Sequence, residues 1–292
     1  MSNPLFEAVI NEEAPMYDAA IISENGVEVW KNPVSNNANN GHSTTKLIIA
    51  TAVGMLCDRG LLSPDDAVTA FFSQKEMGDA ADKGWQNVKV RHLLQHKTGM
   101  EHIPYGIDDA DDTYKIGSNF LKYIFSIKIE HEPGTFYKYS DEAFYILGRI
   151  INKVSGESTV EFLRKNLFEP LSFSQWAMAT CPEGHPICGG GFFARSEDTA
   201  KIGYMYACSG VYNGKRMLSR EWIEEAMRFD YALTEFRSSG VFLKTGARGQ
   251  IIAFSPEKKV AVSWHGCSAP DDNGKRNDRL LEAFVKTLEL NF

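Results

Sequence analysis

The sequence lacks any excess of positive charge. Its 31 lysine and arginine residues are outnumbered by 38 aspartate and glutamate residues, which gives a formal net charge of −7. No basic run stands out along the chain, and a protein that binds nucleic acid or an anionic membrane surface normally presents one. We therefore expect neither nucleic acid nor a membrane as a partner.

Long apolar runs and a cysteine framework are missing as well. No window reaches the roughly 18 apolar residues that a membrane-spanning helix needs, and residues 1–10 do not follow the pattern of a secretory signal. The five cysteines are odd in number and scattered, which is typical of free thiols in a reducing cytoplasm. We predict a cytoplasmic location, and the sequence leaves open whether the chain is a piece of a longer exported protein.

The stretch that organises the rest of the chain runs from Gly41 to Leu56. Its apolar part, residues 47–56, predicts a helix that is buried on nearly every face. Ser43 and Lys46 open this helix three residues apart, so they lie on one face. Burial disfavours the charge of Lys46 and makes it a candidate base beside the Ser43 hydroxyl. On its own, S-x-x-K also fits an ordinary helix start whose lysine reaches toward solvent.

Runs of β-type sequence at both ends of the chain enclose a long helical middle. Residues 18–23 and 27–30 are joined through Asn25-Gly26, which is a hairpin signal. Ser63-Pro64-Asp65-Asp66 predicts a helix start. Three later β-type runs lie at residues 240–244, 250–255 and 259–264, and a closing amphipathic helix follows at residues 280–290. This order predicts an α+β fold with an antiparallel sheet covered by helices.

Two further polar islands follow the Ser43 segment. They are Tyr139-Ser140-Asp141, shortly after the turn at Pro133-Gly134-Thr135, and Lys244-Thr245-Gly246, where a β-type run meets a turn. The three islands resemble the serine β-lactamase and penicillin-binding protein superfamily, most closely its branch of class C β-lactamases, DD-peptidases and family VIII esterases. The blocks that share this likeness are residues 90–100, 133–140, 145–156, 167–171, 190–198, 212–215 and 244–250.

The resemblance covers about residues 18–290 and implies the fold in more detail. We expect a β-lactamase/transpeptidase-like architecture with a five-stranded antiparallel sheet flanked by helices, plus a helical domain. The sheet domain comprises residues 1–42 and 186–292, and the helical domain comprises residues 43–185. The site is expected in the cleft between them, where small-molecule pockets are common. Its partner is therefore a small-molecule substrate, and the oligomeric state is left open.

The resemblance also implies a mechanism. Ser43 attacks a carbonyl carbon, Lys46, held neutral by burial, accepts its proton, and water hydrolyses the acyl-enzyme. Tyr139 passes a proton to the leaving group, while Lys244 stays charged and steadies Tyr139 or a substrate carboxylate. The backbone N–H groups of Ser43 and Ala247 form the oxyanion hole. The mechanism requires no metal and no cofactor.

Four residues are expected to bind substrate: Asp141, Thr245, Gly246 and Arg248. Asp141 departs from the family pattern, which usually has asparagine there. An ionised aspartate only accepts hydrogen bonds and would repel a substrate carbonyl. We therefore expect an esterase-type hydrolase acting on a small ester, amide or β-lactam, with poor β-lactamase activity. The alternative is a catalytically weak binder or sensor of the same fold.

Three other features of the sequence allow both a functional and a purely structural interpretation. His92 and His96 have the spacing of metal ligands on a helix, but no glutamate lies between them in the H-E-x-x-H manner. Cys181, His185 and Cys188 cluster in one loop without an evident fourth ligand. The acidic residues 101–117 form either a loop over the site or a solvated surface. We expect no metal at any of these places.

Overall fold

The computed structural model describes residues 3–13, 15–32, 37–269, 272 and 274–292. Within this part of the chain the α-helices are α1 (Pro4–Ile10), α2 (Thr45–Asp58), α3 (Gln74–Met77), α4 (Val90–Leu94), α5 (Ala110–Ile116), α6 (Phe120–Ser126), α7 (Asp141–Ser155), α8 (Thr159–Leu163), α9 (Ser196–Ala207), α10 (Arg220–Arg228) and α11 (Lys275–Asn291). The strands are β1 (Met16–Ser23), β2 (Gly26–Lys31), β3 (Asn39–Asn40), β4 (Trp176–Met178), β5 (Phe192–Ala194), β6 (Val211–Tyr212), β7 (Lys215–Arg216), β8 (Thr234–Glu235), β9 (Phe242–Gly246), β10 (Gln250–Ser255) and β11 (Val260–Gly266).

The main sheet has the order β2-β1-β11-β10-β9-β8, and every pair in it is antiparallel. This arrangement confirms the predicted α+β fold and the hairpin between β1 and β2. The described sheet has six strands, whereas five were expected, because the two-residue β8 pairs with β9 at one edge. So short a strand carries almost no pattern in the sequence.

Helices cover both faces of this sheet. Helix α9 packs against β1, β10 and β11 on one face. On the other face, α1 and α11 bury apolar side chains against β1, β9, β10 and β11. Strand β11 is buried along its whole length, as a central strand with both faces covered should be. The sheet therefore places β9, next to the edge strand β8, against helix α2.

Helix α2 is the core of the helical part. Residues 45–56 are all buried, and the helix packs against α7, which begins at the N-cap Ser140. A helix that is apolar on every side can lie only in such a core. The predicted division into a domain of residues 1–42 and 186–292 and a domain of residues 43–185 stays a prediction.

The predicted helix start at residues 63–66 is wrong. These residues form a turn in which the Asp66 side chain accepts the Ser63 N–H at 2.8 Å. The next residue, Ala67, then makes an antiparallel bridge to Lys89. The extended bridge competes with helical geometry at this point, so the N-cap chemistry of Ser63 and Pro64 closes a turn instead.

A buried polar pair ties the sheet to α9. The Asp18 carboxylate lies 2.9 Å from His265 Nδ1 and accepts the N–H of Ser196, at the start of α9, at 2.8 Å. We expect Asp18→Ala to lower the free energy of unfolding by about 3 kcal/mol, because two buried groups lose their partner. Urea denaturation measures this change.

The matched control for that substitution is Asp79→Ala, since Asp79 is exposed and paired only at 3.7 Å with Lys83. It should change the stability by less than about 0.5 kcal/mol. Equal effects of the two substitutions would contradict a structural role for the Asp18 pair.

No helix in the described ranges is long and apolar enough to cross a membrane. All five cysteines carry free thiols. The cytoplasmic location stays a prediction from the sequence.

Candidate active site

The chain enters α2 through a single turn of 3₁₀-helix, residues 42–44. His42 adopts a left-handed backbone conformation with φ of 46°. Thr44 Oγ1 donates to the Gly41 carbonyl at 2.9 Å, and the Gly41 N–H donates to the Phe192 carbonyl at 2.8 Å. These bonds hold the turn against β5, so that Ser43 stands partly exposed at the start of a buried helix.

The Lys46 ammonium is fully buried beneath Ser43. Its Nζ donates to Ser43 Oγ at 3.2 Å and to the Gly189 carbonyl at 2.5 Å, and it forms an ion pair with Asp141. An ammonium group has three N–H donors, and all three have acceptors here. The prediction that burial keeps Lys46 neutral stays a prediction, and the neighbouring Asp141 carboxylate is the counter-ion that a charged amine would have.

Both lysines of the site approach the ring of Tyr139. Lys46 Nζ is 4.6 Å from the centroid of the Tyr139 ring, and Lys244 Nζ is 5.2 Å from it. The ring of His96 stacks on Tyr139 with centroids 4.4 Å apart. The structure therefore brings together the four residues proposed to be catalytic: Ser43, Lys46, Tyr139 and Lys244.

Lys244 differs electrostatically from the expectation. Burial, reinforced by the positive charge of Lys46, lowers the pKa of Lys244 to about 7, although Asp141 opposes the shift. A lysine with such a pKa is only partly protonated at neutral pH. The expectation that Lys244 stays charged stays a prediction, and the lowered pKa favours its neutral form.

The end of β9 lies directly against the Ser43 turn. A Cβ added at Gly246 would overlap the Gly41 carbonyl oxygen and lie 3.0 Å from Gln250 Cβ, so only glycine allows this approach. Ala247 follows the strand, and neither its N–H nor that of Ser43 donates to an acceptor within the described part of the chain. Both groups are thus free to serve the predicted oxyanion hole.

The remaining predicted substrate residues are more open. Thr245 and Arg248 are exposed at the end of β9. Arg248 has φ of 58°, and its Nη1 lies 3.8 Å from Cys267 Sγ. Its guanidinium contacts this thiol and not the cluster around Ser43, so its role in holding a substrate carboxylate stays a prediction.

Two cavities border β9 near its end. One, of about 290 Å³, is lined by His96, Tyr137, Lys244 and Thr245 among others. The other, of about 450 Å³, lies beyond Thr245 and includes Ala247 and Arg248. Both have the dimensions of small-molecule sites.

Gly189, Gly190 and Asp108 also lie next to the site, although no motif in the sequence indicated this. A Cβ at Gly189 would lie 2.6 Å from Asp141 Cβ, and one at Gly190 would lie 2.9 Å from Asp108 Oδ2. Burial and the charge of Asp141 raise the pKa of Asp108, which Lys46 partly offsets. The acidic segment 101–117 therefore reaches the site through Asp108.

His96 was considered only as a metal ligand, and the structure gives it a different place. Its Nδ1 accepts the Ser140 N–H at 3.2 Å. Burial, together with the charges of Lys46 and Lys244, lowers the pKa of His96 to about 2. A neutral ring can stack under Tyr139 between two amines, where an imidazolium would be repelled. The stretch Tyr139-Ser140 offered no sequence signal for this partner.

A metal is not suggested at the histidines or cysteines singled out in the sequence. His92 Nδ1 accepts the Lys89 N–H at 3.1 Å. Within the described ranges, the group of His, Cys, Asp and Glu side chains with ligand atoms within 4.8 Å of one another is Glu101, His102 and Glu130. This group is largely exposed, and its two glutamates already contact histidines.

The fold and this cluster together define a protein of the β-lactamase/transpeptidase-like class. The profile of the family described as Beta-lactamase matches residues 40–210. This match covers more than half of the chain, and the chain therefore belongs to the beta-lactamase family.

Known proteins of several kinds resemble the chain. The 6-aminohexanoate-dimer hydrolase of Paenarthrobacter ureafaciens is 24% identical over 198 residues, which cover 63% of this chain and 49% of that protein. The structure of a penicillin-binding protein homologue from Caulobacter crescentus has a TM-score of 0.76 and 18% identity, covering 97% of this chain and 96% of that one. The structure of a family VIII carboxylesterase also has a TM-score of 0.76, with 16% identity, and covers 97% and 95%. The chain spans about half or less of the length of the curated relatives it matches.

Proposed function

We propose that this chain is a serine hydrolase that acts through an acyl-enzyme on a small ester or amide, with esterase-type activity favoured. The observation that supports this most directly is the 3.2 Å contact between Lys46 Nζ and Ser43 Oγ beneath Tyr139. A serine hydroxyl hydrogen-bonded to a lysine beside a tyrosine, at the start of a buried helix, has the surroundings of an activated nucleophile.

The cavity next to Lys244 supports a small substrate, although Ser43 is not among its lining residues. The cavity beside Lys244 measures about 290 Å³, near the lower end of the usual range for ligand pockets. Hydrolases of esters and of an amide are among the proteins that the chain resembles. Neither likeness selects the substrate, and the ester preference comes from Asp141.

The test of the proposed function is turnover combined with intact mass. Purified protein should hydrolyse p-nitrophenyl acetate and should gain one adduct from a fluorophosphonate. Turnover without a covalent adduct would contradict the serine mechanism, and an adduct without turnover of any ester would favour the binder or sensor alternative.

The identity of residue 141 should set the preference between esters and β-lactams. Asp141→Asn replaces an acceptor-only carboxylate by an amide that can donate to a substrate carbonyl. We expect kcat/KM for nitrocefin, divided by kcat/KM for p-nitrophenyl acetate, to rise roughly tenfold, which is the effect of about 1.4 kcal/mol. Steady-state kinetics on both substrates measure this ratio.

The ratio is informative because both substrates use the same nucleophile, so that a general loss of activity cancels. Asp111→Asn is the matched control, since Asp111 is exposed in α5. An unchanged ratio in Asp141→Asn, or an equal rise in Asp111→Asn, would show that Asp141 does not select against β-lactams.

A further inference from the structure

We propose that Asp141 sets which lysine of the site carries the proton. Lys46 is the ammonium that holds Asp141, and Lys244 is the amine that receives the Ser43 proton through Tyr139. This inference rests on the proposed function, because it assigns the proton transfer within the same acylation step. It reverses the assignment expected for this family, in which Lys46 is the base and Lys244 the cation.

Lys46 has the contacts of a charged amine. Its Nζ has three acceptors, Ser43 Oγ, the Gly189 carbonyl and the Asp141 carboxylate. Two of them, the carbonyl and the ionised carboxylate, have no proton to give. A charged amine satisfies all three at once and pairs with the carboxylate of Asp141, whose side chain is 25% exposed. Losing the proton would remove the counter-ion of Asp141 at the edge of a fully buried amine.

Lys244 differs from Lys46 in lacking a counter-ion. In the part of the chain that the structure describes, no carboxylate lies within ion-pair distance of Lys244. It is partly buried, and its Nζ lies 5.2 Å from the centroid of the Tyr139 ring. Two amines over one aromatic ring repel each other when both are charged. The amine without the counter-ion is the one that gives up its proton, in agreement with its lowered pKa.

The other charged and titratable groups near Lys244 do not change this assignment. His96 is neutral because burial and both lysines lower its pKa to about 2. Lys97 and Asp230 line the adjoining cavity with Tyr137, and they carry opposite charges. Asp141 raises the pKa of Lys244, and Lys46 lowers it more strongly.

Acylation then involves two coupled proton transfers. As Ser43 Oγ forms a bond to the carbonyl carbon, the C=O π pair moves to the carbonyl oxygen, toward the N–H groups of Ser43 and Ala247. The Ser43 O–H bond breaks in the same step, while the Lys46 ammonium keeps its hydrogen bond to Oγ. The π bond forms again when the bond to the leaving alkoxide or amine breaks. The proton passes to the Tyr139 oxygen as the phenol proton passes to Lys244 Nζ, which becomes an ammonium. The same path in reverse returns the proton to the departing alkoxide or amine. No oxidant, reductant or further co-reactant is involved.

Replacing Lys244 by arginine distinguishes a role of this residue as a base from a role as a fixed positive charge. Arginine keeps the charge but cannot be deprotonated in a protein. We expect Lys244→Arg to lower the rate of Ser43 acylation by roughly 10²–10⁴, the usual contribution of a general base. In the unmodified protein this rate should rise as the pH passes about 7, since Lys244 gains its base form there. The rise should be missing in Lys244→Arg. Acylation is followed as the burst of p-nitrophenol from p-nitrophenyl acetate.

Rescue by added amines provides a test that does not depend on how well arginine fits. In Lys244→Ala, small primary amines of different basicity should restore the burst rate in proportion to their unprotonated concentration at each pH. Ser43→Ala combined with Lys244→Ala should show no rescue. Lys128→Arg, at an exposed position, is the matched control and should behave as the unmodified protein.

The outcomes separate this inference from the proposed function. If the unmodified protein never becomes acylated at Ser43, the proposed function fails. If Ser43 is acylated, but Lys244→Arg keeps nearly full activity or rescue follows the protonated amine, Lys244 acts as a cation and the inference is overturned. Loss in Lys244→Arg together with rescue by the free amine supports it.

Discussion

Ser43→Ala should abolish covalent labelling and lower kcat by on the order of 10⁴–10⁶, as removal of a nucleophile does in other serine enzymes. The hydroxyl is the acceptor of the Lys46 hydrogen bond and lies at the start of α2. Without it, the remaining groups can still bind an ester and polarise its carbonyl, but no acyl-enzyme can form. Intact mass after fluorophosphonate treatment and steady-state turnover of p-nitrophenyl acetate measure the two effects.

The control for this substitution is Ser126→Ala. The Ser126 hydroxyl is exposed and donates only to the Tyr123 carbonyl within α6, so labelling and turnover should be unchanged. A peptide map that places the adduct on a residue other than Ser43 would refute the assignment, as would normal turnover by Ser43→Ala.

Gly246→Ala should cause the second large effect, because it separates β9 from the Ser43 turn. The added methyl group would collide with the Gly41 carbonyl oxygen and crowd Gln250 Cβ at 3.0 Å. The obstacle is backbone, which cannot rotate away as a side chain can. We expect a loss of about 2–3 kcal/mol in the free energy of unfolding, as for an overpacked core, and a fall in kcat of at least about 100-fold from the misplaced Ala247 N–H.

Gly106→Ala provides the control, since a Cβ there would meet only Asp109 Cβ at 3.8 Å. Its stability should change by less than about 0.5 kcal/mol. Thermal unfolding and burst kinetics on both variants measure the comparison. A Gly246→Ala protein with native stability and turnover would show that the strand does not need this close approach.

The parts of the fold that local sequence patterns encode were predictable. The β-type runs on either side of Asn25-Gly26 predict the β1–β2 hairpin, and the apolar run of α2 predicts a buried helix. Likewise, Ser43, Lys46, Tyr139 and Lys244 were identified because each belongs to a short motif with recognisable neighbours. Their convergence could be expected from the family likeness but not from spacing, since Lys46 and Lys244 lie on different elements.

What the sequence did not reveal depends on contacts between distant segments. The Gly189 carbonyl is a backbone group, and no side-chain pattern announces that it will meet Lys46. Asp108 reaches the site because its loop passes over Gly190, and His96 stacks on Tyr139 through tertiary packing. The proposed distribution of the proton depends on Lys46, Asp141 and Lys244 together. These residues belong to three separate motifs, so no single motif predicts it.

The pairing of β1 with β11 joins the two ends of the chain within one sheet. During synthesis, the β1–β2 hairpin emerges well before its neighbour β11, because helices α2 to α10 and strands β3 to β10 lie between them in the sequence. At ordinary rates of translation this delay lasts roughly 10–50 s. For that time the hairpin presents an unpaired edge, and long-range strand pairing is itself slow. The nascent chain therefore has an aggregation-prone interval that the finished protein does not. A chaperone that shields strand edges during synthesis should raise the yield of newly made folded protein more than one that acts after β11 has paired.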